Sequence, residues 1–119
     1  MTTLKSALGY VTASTTGEHL QGLKIDFSAS GLNTIIPGIS GKAIYVFRYF
    51  VVVRVATDLT YFDGANALTG PVPLAANEAM VFTLDTRPWY ECTSGNDFII
   101  NSSSAGQVSG RVYFTQVAP

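Results

Sequence analysis

From Leu23 onward the chain is a series of short runs in which apolar and polar residues alternate, each run closed by Gly, Pro, Asn or Asp. Leu23, Ile25, Phe27 and Ala29 alternate with Lys24, Asp26 and Ser28, the period-two pattern of a half-buried strand. The cluster SASGLN predicts a turn, and Ile35-Ile36 leads into PGISGK, where Pro37, Gly38 and Gly41 interrupt regular structure. A long strand is expected over Ala43 to Ala56 and a short one over Leu59 to Phe62, closed by Asp63-Gly64, a pair suited to a tight hairpin turn. Ala67 to Thr69 and Val72 to Leu74 flank Gly70-Pro71, so they are expected at a sheet edge. Further strands are predicted over Met80 to Leu84, Trp89 to Thr93, Phe98 to Asn101 and Val108 to Val117, with Ser94-Gly95-Asn96 and SSSAGQ as turns.

Residues 1 to 20 follow no such pattern. Seven are Ser or Thr, and the apolar residues Leu4, Leu8, Tyr10 and Val11 are scattered. This stretch reads as an extended N-terminal arm ahead of a β domain over 21 to 119, and LGYVTA has the β propensity to pair with an offered strand edge. Short strands at roughly ten-residue spacing, without helical periodicity, predict an all-β sandwich or barrel of about eight antiparallel strands. Periodicity does not separate a jelly roll from an immunoglobulin-like sandwich.

The segment IYVFRYFVVVRV breaks the alternation. Tyr45, Phe47, Tyr49, Val51 and Val53 are apolar at odd positions, and Ile44, Val46, Phe50 and Val52 at even ones, with Arg48 and Arg54 interspersed. Both faces of this strand call for cover. The simplest cover is a subunit interface; the alternative is a β-bulge that moves the inward face from even to odd positions partway along.

Composition narrows the chemistry. Among 119 residues, 47% are hydrophobic and 13% charged, which argues against disorder and for one core-bearing domain. Seven Lys and Arg against eight Asp and Glu leave no basic footprint for nucleic acid or an anionic membrane. No apolar run is long enough for a membrane helix and the start lacks a signal-type apolar core, so synthesis without a secretory signal is expected. Cys92 has no cysteine to pair with, and His19, the one histidine, lies in the arm, away from any rigid catalytic constellation. Most carboxylates stand at turn positions, where Asp serves the backbone, and Asn101-Ser102-Ser103 reads as a chance match to the glycosylation pattern. No cofactor, metal site or small-molecule substrate is indicated. Phe62, Trp89 and Tyr90 could stack on sugars, although core or interface positions are the simpler assignment.

The order and spacing of GKAIYVFRYFVVV, LTYFDG, ALTGPVPLAANE, WYECTSGNDFII and VSGRVYFTQV, spanning Pro37 to Val117, resemble the jelly-roll capsid decoration or cement proteins of tailed bacteriophages. The resemblance implies a jelly-roll β-sandwich and a homotrimer, made in the host cytoplasm, that sits on the outer capsid surface at local three-fold positions. The implied partner is the major capsid protein, and no catalysis is implied. On this reading Thr2, Leu4, Leu8, Tyr10 and Val11 form a capsid-binding arm, and Tyr45, Phe47, Tyr49, Phe50 and Phe62 are candidates for the trimer interface. The alternative is a carbohydrate- or receptor-binding module of a phage fibre, using Trp89 or Tyr90.

Overall fold

The computed structural model describes residues 20–84 and 86–119; the arm residues Thr2, Leu4, Leu8, Tyr10 and Val11, and His19, lie outside them. Ten strands and no helix are found among the described residues: β1 (Gln21–Phe27), β2 (Gly31–Ile36), β3 (Ala43–Val53), β4 (Thr57–Asp63), β5 (Asn66–Ala67), β6 (Val72–Leu74), β7 (Ala79–Phe82), β8 (Tyr90–Cys92), β9 (Phe98–Ser102) and β10 (Val108–Val117). They form two antiparallel sheets packed face to face as a sandwich. The first runs β1-β10-β3-β7, with β8 also on β3; the second runs β2-β9-β4-β5, with β6 also on β4.

Two edges are broken, as the separate short runs in the sequence predict. β5 and β6 both pair with β4, separated by Gly70-Pro71, and β7 and β8 both pair with β3. Proline donates no ladder hydrogen bond, which confines Pro71 and Pro73 to this edge. The strand that the sequence does not predict is β2, where a turn was expected. Its register with β9 (Leu32 opposite Asn101, Asn33 opposite Ile100) overrides the turn-prone Gly31 and Asn33, while the Asn33 amide donates back to the carbonyl oxygens of Ala29 and Gly31. The actual turn is shorter and ends at Gly31, whose φ of 90° suits glycine.

The long strand contains the β-bulge that its doubly apolar pattern left open as one alternative. β10 pairs Phe114 with Val46 but Tyr113 with Arg48, so Phe47 is an extra residue in β3, a β-bulge. Before it, Ile44 and Val46 face the space between the sheets; after it, Tyr49, Val51 and Val53 do. This corrects the interface reading for those odd positions, which belong to the chain's own core. They meet Ile25 of β1, Leu59 and Tyr61 of β4, Phe98 and Ile100 of β9, and Val112 and Phe114 of β10, all buried. Each such side chain contributes about 1.5–3 kcal/mol relative to exposure.

Outside the first sheet, Ala43, Tyr45, Phe47 and Val117 form a second buried cluster against which Leu20 packs. At one end of the sandwich, Asp63 is buried and its carboxylate accepts hydrogen bonds from the Thr93 amide, the Thr93 hydroxyl and the Asn96 side chain, while Asp97 accepts from the Gly38 amide. These bonds tie the β4–β5, β8–β9 and β2–β3 connections together. Gly38 fits there because a Cβ would overlap the Gly95 carbonyl.

Thr115 of β10 stands opposite Tyr45, fully buried, and among the described residues its hydroxyl has no hydrogen-bond partner. An unsatisfied buried hydroxyl destabilises, so Thr115→Val, nearly equal in shape, is expected to raise the unfolding free energy by about 1 kcal/mol. Urea unfolding monitored by circular dichroism checks this, and a lower midpoint for the variant would refute it.

Candidate functional site

The bulge determines what the outer face of the first sheet presents. Beyond it, Arg48, Phe50 and Val52 point away from the core. The registers align these residues in cross-strand rows: Asp26, Ser109, Val52 and Ala79; then Lys24, Arg111, Phe50 and Val81; then Gly22, Tyr113 and Arg48. The face is therefore graded, apolar around Phe50, Val52, Ala79 and Val81 and cationic around Tyr113, between Arg48 of β3 and Arg111 of β10.

On the apolar side Phe50 and Val52 are each 40% exposed and Val81 is 64% exposed. The patch continues past the β7 edge to Leu84 and Trp89, also exposed. Trp89 is held there by two hydrogen bonds, from its amide to the Val46 carbonyl (2.7 Å) and from its indole N–H to the Thr83 carbonyl (2.8 Å), and its ring packs on Phe82 with centroids 4.5 Å apart. Arg48, Phe50, Val81 and Leu84, over a floor of Tyr49 and Phe82, line an open cleft of about 420 Å³. On the cationic side the guanidinium carbons of Arg48 and Arg111 lie 4.8 and 5.4 Å from the centroid of the Tyr113 ring. Such contacts stabilise by about 0.5–1 kcal/mol at exposed sites.

Below the cleft sits a tyrosine cluster. The Tyr49 and Tyr90 hydroxyls are 2.9 Å apart, Tyr61 stacks on Tyr90 at 5.1 Å, and the Tyr61 hydroxyl donates to the Met80 sulfur. Burial pushes the ionisation of Tyr49, Tyr61 and Tyr90 above the usual tyrosine range, and for Tyr49 a charge on Tyr61 would add to the penalty. Burial, reinforced by the Asp63 and Asp97 carboxylates, pushes the Cys92 thiol up to about 12, which keeps it protonated and unreactive near neutrality. Among the described residues, no group of three or more His, Cys, Asp or Glu side chains gathers that could hold a metal ion.

The five interface candidates do not share a surface. Tyr45 and Phe47 belong to the second buried cluster, Tyr49 to the core, Phe50 to the exposed patch, and Phe62 is half-buried on the opposite outer face, beside Ile99. Val81 and Leu84, together with the outward Arg111 and Tyr113, complete the exposed face without a signal in the sequence, and Val52 and Arg48 stand there only as members of the doubly apolar run. Parity, which decides their side of the sheet, was hidden until the position of the bulge was known. No protein-family model matches this chain, and no curated protein sequence matches it.

The tyrosine cluster makes stability depend on pH in a defined window. Below about pH 10 the tyrosines are protonated in both states and contribute no slope. Above it the unfolded chain loses protons that Tyr49, Tyr61 and Tyr90 retain when folded, so stability is expected to fall as pH rises. Absorbance titration at alkaline pH should show these three of the six tyrosines ionising only together with loss of the circular dichroism signal. All six ionising near pH 10 with the fold intact would contradict the cluster's burial.

Proposed function

We propose that this chain is a non-enzymatic structural protein, a homotrimeric decoration protein that binds the outer surface of an icosahedral phage head at local three-fold positions and stabilises the shell. The observation that carries the reading is the exposed apolar patch of Phe50, Val52, Val81, Leu84 and Trp89, which a monomer would leave in water. The patch turns the corner from the sheet face onto the β7 edge. A closed three-fold ring needs each copy to offer one surface to one neighbour and a different surface to the next, and a patch that spans the face and the edge supplies two such surfaces.

We infer further that the sandwich is a jelly roll. Support comes from the strand order, in which the first and last strands interleave as β1-β10-β3 and β2-β9-β4, the pattern of two nested Greek keys. The arm, Thr2 to Thr16, would add strands to the major capsid protein with Leu4, Leu8 and Tyr10 in shallow pockets. Three arms per trimer convert modest affinities into high avidity. A ligand that binds only the assembled lattice stabilises it by mass action.

Shells assembled from the major capsid protein encoded in the same genome provide the test. The chain is expected to co-sediment with them and to raise the temperature at which they fall apart. Deleting residues 1–16 should leave a folded protein that no longer co-sediments. Failure of the full chain to attach would remove the decoration reading, and full attachment of the truncated chain would remove the arm's role.

A second reading, a carbohydrate- or receptor-binding module of a phage fibre, is favoured by one observation. The Trp89 indole N–H is already satisfied, which leaves a half-exposed ring face near an open cleft, a platform of the kind sugars stack on. As the single tryptophan, Trp89 would report glycan binding by a saturable change in fluorescence.

A further inference from the structure

We propose that the cationic half of the first sheet's outer face docks a carboxylate-bearing protein surface, with Arg48 and Arg111 as the pairing groups and Tyr113 as the platform that holds them. The proposal rests on the reading of the chain as a protein that attaches to a larger protein shell, and it gives the contacted surface its chemistry.

The arrangement works against the isolated chain. Lys24 stands directly opposite Arg111 across β1 and β10, a like-charge pair that destabilises a sheet. Arg48 lies one strand further on, its guanidinium on the same Tyr113 ring. The nearest acid on this face, Asp26, is already engaged, 3.7 Å from the Lys24 ammonium and accepting from the Gln107 amide at 2.8 Å. Among the described residues neither guanidinium has a carboxylate partner. Stacking on Tyr113 orients both groups, and Gly22 makes room for one of them, since a Cβ there would meet the Arg111 guanidinium at 2.6 Å. Two oriented guanidinium groups match carboxylates in the two-pronged geometry that arginine favours.

A second copy does not fit this half of the face. Self-pairing would set arginine against arginine. Docking on the opposite outer face, where Asp58 is exposed, would join copies through the two far sides of a sandwich and extend an open stack instead of closing a ring. Nucleic acid fits poorly as well, because the cations border Phe50 and Val52, not a continuous basic groove, on a chain of net charge −1. A protein surface bearing acidic residues complements the cationic part of the face, while the apolar part is left to the other copies of this chain.

Fluorescein-labelled poly-L-glutamate is the probe, read by anisotropy at about 50 mM NaCl, where surface charges are weakly screened. The full chain is expected to bind it, and the double variant Arg48→Glu with Arg111→Glu to bind it at least about tenfold more weakly. Lys42→Glu with Arg87→Glu, in the β2–β3 and β7–β8 connections, should change binding less than about twofold. Circular dichroism and solution mass of the double variant should equal those of the parent chain. No binding by the parent, equal loss in both double variants, or tighter binding of a DNA duplex than of poly-L-glutamate would each overturn the proposal. Arginine-dependent binding by a chain that does not attach to shells would support the docking chemistry while removing the decoration reading. Shell attachment unaffected by Arg48→Glu with Arg111→Glu would do the reverse.

Discussion

The extra residue at Phe47 is the constraint on which the rest of the molecule depends. A strand alternates its side chains with a period of two, so a single inserted residue moves everything after it to the other side. Without the offset between Val46–Phe114 and Arg48–Tyr113, the side chains of Tyr49, Val51 and Val53 would leave the core and Arg48 would enter it. The same insertion divides the outer face in two. Its first half is the buried cluster of Ala43, Tyr45, Phe47 and Val117, and its second half is the open surface of Phe50, Val52 and Val81.

Packing and function meet on that second half. Tyr49 and Phe82 face inward as the floor of the cleft, bound into the aromatic cluster with Tyr61 and Tyr90, so the residues they carry on the alternate side are held rigidly. Gly110 brings the strands close here, since a Cβ at that position would overlap the Phe50 carbonyl. Rigid support lowers the entropy lost when a partner covers the patch. The arginine side chains beside it border the apolar surface without covering it.

Much of this was legible in the chain. The alternation of Phe98, Ile100 and their neighbours gave β9, and the run from Val108 to Val117 is found with both ends in place. The all-β class follows from the same spacing, which left sandwich and barrel open until the strand pairing was known. The bulge was legible only as a contradiction, a strand apolar on both faces, because its position depends on pairing with β10, some sixty residues away. β2 was missed because its pairing with β9 outweighs local turn chemistry at Gly31 and Asn33. Of the surface candidates Phe50 was named from sequence, whereas Val81 and Arg111 join it only through the register of three strands, and Phe62 separates from it because β4 belongs to the other sheet.

The proposed contact between copies of this chain lies at the patch left open after the bulge. Light scattering coupled to size exclusion, at micromolar concentration, tests it most directly. The account predicts a mass about three times the 12.7 kDa of one chain, reduced by Val81→Asp, which would place a carboxylate in the contact. A mass of one chain for the unaltered protein would contradict it.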